Sequence, residues 1–552
     1  MLFNVLGSFI TVTSLAAIHV LADSLPPIEI VGNKFFFSNN GTQFFIRGVA
    51  YQSDGSDSND GSNLKPGQSY SDPLANFEAC SRDIPYLKQL RTNVIRVYSV
   101  NPSEDHSKCM QALNDAGIYV IADLSEPKRS INRNSPKWDL DLYERYTSVV
   151  DEFQKYDNVL GFFAGNEVSN SINNTDASAF VKAAIRDTKA YIKAKGYRKI
   201  PVGYSANDDQ AIRVDLIEYF ACGTDEERME FYGANMYAWC GDSTYEKSGY
   251  ADRTKEVAKL GVPAFFSEYG CNIIRPRKFG DVSALFGKMS DFWSGGVVYM
   301  YFEEANKYGL VSVGSDNKVT TLPDFENYSA QIAKVTPTGV NSADYSPSIT
   351  HPSCPTVDNT WKAASNLPHV PDSNVCACMS DSLSCVVSDG LDPKDYEQLF
   401  EYVCSKVSCA GIVNNATTGE YGSYSFCDDK DKLSYVLDVY YKAQGKAADA
   451  CDFNGSANLV KPSSQSACSP VLSAIGTAGT GSFSGSITYS GSAHSRVPAG
   501  SASDGSGSSS STSTGKASSD AGLSNNIRSF SSLYTVLAIT LSISVGLGLA
   551  II

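Results

Sequence analysis

Histidine is scarce in this chain, with five in 552 residues, and basic side chains are outnumbered: 45 Lys and Arg face 60 Asp and Glu, for a formal net charge of −15. That balance excludes nucleic acid and anionic lipid as charge-matched partners. With so little His, and with Cys376-Ala-Cys378 as C-x-C rather than the usual zinc spacing, a metal site is not expected. No Gly-rich phosphate loop follows any apolar segment, which counts against nucleotide binding. Internal repeats of about 20–50 residues, the mark of a solenoid or propeller, are also missing. Charge is absent from Leu533–Ile552, and no basic residue follows that run.

The two ends set the compartment. Leu2–Leu21 is mostly apolar and leads to small residues at Val20-Leu-Ala22, so residues 1–22 read as a secretory signal. At the other end come the small residues Ser519-Asp520-Ala521-Gly522, the mostly polar spacer Leu523–Ser532, and the terminal apolar run. That order is the signal for a glycosylphosphatidylinositol (GPI) anchor. Attachment is expected at Asp520, with Ser519, Gly522 and Ser524 as rivals, and residues 521–552 would be removed. A tail-anchored span is the alternative, but a span normally carries basic residues on its cytoplasmic side. The outer leaflet of the plasma membrane, or the cell wall beyond it, is the expected location. The even count of 14 cysteines fits an oxidising compartment, as do sequons at Asn40, Asn173, Asn327, Asn415 and Asn454.

What the chain has in quantity is aromatic residues: 31 Tyr, 26 Phe and 4 Trp. Tyrosine suits a neutral sugar polymer, since the ring face stacks while the hydroxyl hydrogen-bonds. Composition divides the mature chain into a first domain over 23–354, a Pro-rich linker over 355–373 and a cysteine-dense module over 374–468. Residues 469–520, crowded with Ser, Gly and Thr, are expected to form a disordered, O-glycosylated stalk. In the first domain eight apolar segments alternate with helix-like stretches: Phe44–Val49, Val94–Tyr98, Ile118–Asp123, Val159–Asn166, Ile200–Tyr204, Phe231–Met236, Ala264–Ser267 and Gly296–Tyr301. Between the fourth and fifth, Ser178–Lys195 has helical apolar spacing. Eight such units predict an α/β fold, a (β/α)8 TIM barrel, with a doubly wound open sheet as the rival.

Two glutamates end apolar segments of that pattern. Glu167 closes the fourth in Gly161-Phe-Phe-Ala-Gly-Asn-Glu-Val, and Glu268 the seventh in Pro263-Ala-Phe-Phe-Ser-Glu-Tyr-Gly. Carboxyls at two strand ends of one parallel barrel, about 5–5.5 Å apart, are what a retaining glycosidase needs. Either glutamate alone reads equally well as a surface residue at a loop start. Asn166 is placed to donate to a sugar 2-hydroxyl. Gln52, Tyr98, Asp123, Asn235, Tyr237, Tyr299 and Tyr301 end their segments on the same face. An acid/base has to change protonation state during turnover, so the pattern predicts a raised pKa for Glu167 and a lower one for Glu268.

The segments Gly165-Asn-Glu-Val, Ser267-Glu-Tyr-Gly, Asn93-Val-Ile-Arg-Val-Tyr and Gly296-Val-Val-Tyr-Met-Tyr-Phe-Glu-Glu resemble those of the fungal GPI-anchored β-1,3-glucanosyltransferases of glycoside hydrolase family 72. The module, through Cys376-Ala-Cys, Phe426-Cys-Asp, Tyr421 and Tyr424, resembles carbohydrate-binding module family 43. The resemblance implies that Glu167 is the acid/base and Glu268 the nucleophile. It implies that Gln52, Tyr98, Asp123, Asn166, Tyr237, Tyr299 and Tyr308 line donor and acceptor subsites; Tyr308 enters on that ground alone. It also implies the disulfides Cys80–Cys109, Cys222–Cys354, Cys240–Cys271, Cys376–Cys427, Cys378–Cys468, Cys385–Cys451 and Cys404–Cys409. The expected reaction cuts a β-1,3-glucan internally and passes the new reducing end to the non-reducing end of another chain, with no metal or organic cofactor required. Partners are then glucan donor and acceptor chains, a membrane through the anchor, and no second subunit. An endo-β-1,3-glucanase, a mannanase or cellulase of the same clan, and a non-catalytic wall-binding protein remain as alternatives. Whether the module binds glucan or only braces the barrel is open at this level.

Overall fold

The computed structural model describes residues 25–53, 70–463, 466–483 and 485. The signal peptide, the GPI signal and residues 486–520 of the expected stalk lie outside those residues. Among the described residues no helix is long and apolar enough to cross a membrane.

Eight parallel strands close into a barrel: β1 (Ile46–Ala50), β2 (Val94–Val97), β3 (Tyr119–Asp123), β4 (Val159–Asn166), β5 (Val202–Ala206), β6 (Tyr232–Met236), β7 (Ala264–Tyr269) and β8 (Trp293–Val298). The helices that follow them in turn are α1 (Phe77–Gln89), α2 (Ser107–Asp115), α3 (Leu140–Phe153), α4 (Ala177–Ala194), α5 (Arg213–Ala221), α6 (Tyr250–Val257), α7 (Asp281–Leu285) and α8 (Pro323–Ile332). Strands covered on both faces are apolar nearly throughout, which is why they stand out in the sequence. Helix starts are fixed by side-chain caps: Asn76 accepts from Ala79 N at 3.1 Å, and Asp139 from Leu142 N at 3.1 Å.

A small antiparallel sheet of Ile28–Val31, Lys34–Phe37 and Gln43–Phe44 precedes β1. It supplies Phe35, which packs on Phe231 and Phe265 with centroids 6.3 and 6.2 Å away. Phe163 joins the same aromatic cluster against Phe231. The barrel interior is therefore a packed apolar core below the catalytic end, and its polar groups are confined to the top.

Several details differ from the sequence reading. Strands β1 and β5 start two residues later than their apolar segments, and β8 starts and ends three residues earlier. The run Tyr299-Met-Tyr301 is apolar because it is buried beyond the strand, and Tyr301 packs outward, with its hydroxyl on Asp83 Oδ1 at 3.0 Å. Strand β7 continues to Tyr269, so Glu268 lies within the strand rather than after it. Its pairing with β6 shifts register between Phe266 and Glu268, and that with β8 between Phe266 and Tyr269. The irregularity lets both Ser267 and Glu268 reach the barrel interior, which strict alternation would forbid.

The cysteine-dense module has its own core, built on α9 (Ser373–Asp381), α10 (Tyr396–Cys404), α11 (Asp429–Ala443) and a strand pair of Cys385–Val387 with Ala457–Leu459. All 14 cysteines are bonded. Cys80–Cys109, Cys222–Cys354 and Cys240–Cys271 lie in the barrel domain. Cys376–Cys427, Cys378–Cys468, Cys385–Cys451 and Cys404–Cys409 lie in the module. The Pro-rich linker is pinned to the barrel: Trp361 is buried against Tyr219, whose hydroxyl donates to Ala364 O at 2.7 Å. The stalk expected from Ser469 begins instead as a helix, α12 (Ser469–Ile475), with Val471 and Ile475 in the module core. Serine content masked an apolar i, i+4 pair there. Of the aromatic residues that mark the module, Tyr424 and Phe426 are buried core, and Tyr421 packs edge-on against Phe180 of α4 at 6.1 Å.

Candidate active site

Alternation along β2 turns Val94, Arg96 and then Tyr98 toward the barrel axis. Arg96 is the hub. Its guanidinium is wholly buried, sandwiched at 4.5 Å from the Phe163 ring and 4.3 Å from the Tyr98 ring. It donates to Asp123 Oδ1 at 3.1 Å and Oδ2 at 3.0 Å, to Asn166 Oδ1 at 3.0 Å, to Ser267 O at 3.2 Å and to Glu268 Oε1 at 3.2 Å. Burial alone would lower its pKa, but Asp123, Tyr98 and Glu268 carry it above the ordinary arginine value, so the charge is permanent.

Glu268 is held on both oxygens. Tyr98 donates to Oε1 at 2.9 Å and Tyr237 to Oε2 at 2.7 Å. Both phenols have raised pKa values, from burial first and then from neighbours that include Glu268, so both stay protonated donors. Burial pushes the Glu268 carboxyl above its usual value; Arg96, Tyr237 and Tyr98 oppose that, and Glu167 adds to it. Desolvation outweighs the cation, so the Glu268 carboxyl stands above rather than below its ordinary value.

Glu167 begins the loop after β4, with φ +49°, a left-handed conformation uncommon for a residue with a side chain. Its Oε1 accepts from Asn235 Nδ2 at 2.9 Å, its N–H donates to Ser205 O at 2.8 Å, and its carbonyl accepts from Arg133 Nη2 at 2.6 Å. Asn166 is fixed by its neighbours: Oδ1 accepts from Arg96, from Ser205 Oγ at 2.8 Å and from Asn235 Nδ2 at 3.2 Å. That leaves its Nδ2 as the group it can offer.

These residues border a cleft of about 560 Å³ lined by Gln52, Tyr98, Asn166, Glu167, Glu268 and Tyr299 among others. Gln52 Oε1 accepts from Tyr98 N and Ser99 N, both at 3.0 Å, so its carboxamide sets the end of β2. Tyr237, Tyr299 and Tyr308 meet edge to face with centroids 5.3–6.3 Å apart, a Tyr wall from which Tyr299 faces the cleft. A larger cavity, about 1000 Å³, lies between α3 and the module, away from the paired carboxylates. Chemistry, not size, singles out the smaller one.

Of the sequence-named residues, Asp123 is placed differently from a lining residue: it is buried, and both its oxygens go to Arg96. Tyr301 is outside the site. Arg96, Ser205, Ser267 and Arg133 were missed. An arginine inside the five-residue apolar segment Val94–Tyr98 was a readable signal for the first; the others carried none.

A closed (β/α)8 barrel with two carboxyls at its C-terminal end, one clamped by a cation and two phenols, is the centre of a glycosidase-type enzyme. A sequence model of the family described as Glucanosyltransferase matches residues 17–336, and one described as X8 domain matches residues 383–458. The chain belongs to the glucanosyltransferase family. It is 56% identical over 489 residues to Protein EPD1 of Candida maltosa, covering 88% of this chain and 87% of that protein. It is 49% identical to 1,3-beta-glucanosyltransferase gas1 of Schizosaccharomyces pombe, covering 84% of each. A solved structure of a Glu-to-Gln variant of Saccharomyces cerevisiae Gas2p in complex with laminaritetraose and laminaripentaose superposes with a TM-score of 0.72 at 47% identity, covering 82% of this chain and 98% of that one.

Proposed function

We propose that the protein is a retaining β-1,3-glucanosyltransferase that cuts a β-1,3-glucan chain internally and passes the new reducing end to the non-reducing end of another. The observation that carries this is the Glu268 carboxylate fixed by Arg96, Tyr98 and Tyr237, with Glu167 lining the same cleft. The family membership, and the laminari-oligosaccharides bound by the Gas2p relative, support β-1,3-glucan as donor and acceptor. Glu268 attacks the anomeric carbon while Glu167 protonates the departing oxygen, forming a glycosyl–Glu268 ester. Glu167, now a carboxylate, takes the proton from an incoming sugar hydroxyl, which displaces Glu268 with net retention. Asn166 Nδ2 is the donor available to the 2-hydroxyl, where hydrogen bonding strengthens in the transition state.

The same reading places the mature chain, as a monomer, on the outer leaflet through a GPI anchor near Asp520. The test is incubation of purified protein with a reduced laminari-oligosaccharide and measurement of product lengths. Chains longer than the substrate are expected; shortened products alone make it an endo-glucanase. Glu268→Gln and Glu167→Gln should each cut turnover by orders of magnitude with the fold intact, and a fully active Glu268→Gln protein defeats the assignment.

A further inference from the structure

Arg133 stands outside every motif discussed above. It lies on the long connection between β3 and α3, far along the chain from β4. Its Nη2 nevertheless donates to the main-chain oxygen of Glu167 at 2.6 Å. Glu167 is the residue whose backbone is left-handed, at φ +49°. Such a conformation is unfavourable for a side-chain-bearing residue and persists only where its surroundings hold it. The Glu167 N–H is held by Ser205 O and its carboxyl by Asn235; Arg133 supplies the third support, on the carbonyl.

The loop that carries Arg133 is itself fastened. Ile131 and Trp138 are buried on either side of it, with Trp138 Nε1 donating to Asp187 at 2.8 Å. Just beyond, the module takes hold: Leu140 N donates to Phe426 O at 3.2 Å, and Asn414 Nδ2 reaches Pro136 O at 3.5 Å. On its other side the loop reaches the cleft through Pro127.

We propose that Arg133 is a positioning residue for Glu167, holding the acid/base in its left-handed backbone conformation from a loop that the module fastens. The inference rests on the glucanosyltransferase reading, because it needs Glu167 to be the proton donor. It separates proton delivery from nucleophilic attack: Arg133 should matter when the leaving group needs protonation and not when it does not.

The experiment compares wild type, Arg133→Ala, Arg133→Lys and Glu167→Gln on two donors. One is a reduced laminari-oligosaccharide, whose departing hydroxyl needs an acid. The other is a 2-deoxy-2-fluoro-laminaribiosyl fluoride, which esterifies Glu268 without one and counts competent active sites by mass. Per competent site, Arg133→Ala should lose about 10²-fold in kcat on the oligosaccharide, the scale of a misplaced catalytic group. Trapping by the fluoride should stay close to the wild-type rate, as it should in Glu167→Gln. Arg133→Lys, which keeps a donor but not the fork, should fall between. Equal losses on both donors, an unchanged kcat, or an effect on KM alone would each overturn the proposal. Failure of wild type to lengthen any oligosaccharide sinks the transferase reading instead, whatever the Arg133 variants do.

Discussion

Arg96 is the residue through which the two carboxyl sites communicate. It touches Glu268 directly and Glu167 through Asn166 and Asn235. Its charge sets a pH dependence. Glu268 attacks as the carboxylate, so activity is lost as pH falls through its pKa. Burial places that pKa above the ordinary glutamate value, and Arg96 holds it down from where burial alone would put it. The acid limb of kcat/KM should therefore lie above the usual carboxylate range, and weakening the cation should move it higher. Arg96→Lys keeps charge but not the planar fork that reaches Asp123, Asn166 and Glu268 together, and is expected to shift the limb to higher pH. The pH profile of trapping by the fluoro-sugar measures this without involving Glu167. An unmoved limb would mean that Glu268 does not sense the guanidinium. A second residue-scale prediction concerns Asn327, whose Nδ2 donates to Arg277 O at 2.8 Å. Arg277 in turn supports the main-chain oxygens of Tyr299 and Tyr308. A glycan on Asn327 would remove that donor geometry beside the Tyr wall, whereas Asn40, Asn173, Asn415 and Asn454 are exposed. Glycopeptide mass spectrometry should find Asn327 bare, and full occupancy there would sink the argument.

At the scale of elements, the loop before α1 and the start of α2 are tied to α3 by one buried imidazole. His106 lies between Asp72 Oδ2 at 2.9 Å and Glu152 Oε1 at 3.1 Å. Burial alone would lower its pKa, but the two carboxylates raise it above the ordinary 6.5. A group with a raised folded pKa contributes stability that is complete below the unfolded value and lost as pH rises through the folded one. The wild-type melting temperature should then fall with rising pH across that window relative to His106→Asn, whose curve lacks the term. Parallel curves would remove the imidazolium from the account. Asp72 follows Ser71, whose carbonyl accepts from Gln52 Nε2 at 2.7 Å, so the clamp also steadies one lip of the cleft. Little of this was readable beforehand. The barrel strands were, because burial on both faces leaves an apolar run, and so was the placing of Glu167 just after one of them and Glu268 close to the end of another. The irregularity that brings Ser267 and Glu268 to the same side was not, since an extra residue in a strand leaves no mark on hydrophobic pattern. Tyr301 misled for the opposite reason: an apolar run continued past its strand because the next residues pack between barrel and α1.

For the whole molecule, the point at issue is where the folded part ends. Composition placed that end at Cys468, and on that view a chain stopped at Pro470 would lose only a tether. The structure argues otherwise. Val471 and Ile475 of α12 fill the module core, and each such burial contributes about 1.5–3 kcal/mol. Further on, Gly479 O accepts from Ser423 N at 2.8 Å, and Gly481 O from the Ser423 hydroxyl. Ser423 is three residues from Phe426, whose carbonyl receives the first N–H of α3. Stopping at Pro470 thus removes two core side chains and loosens the strip of module that meets the barrel beside the Arg133 loop. A chain ending at Gly485, which also lacks the anchor signal, should be secreted, and should melt and transfer glucan as the anchored protein does. A chain ending at Pro470 should melt at a lower temperature, and its loss of transferase activity should be larger on oligosaccharide than on the fluoro-sugar trap. Calorimetry and the two-donor assay on the same preparations decide it. Equal melting and equal activity for the two lengths would return the boundary to Cys468 and leave α12 without a structural role.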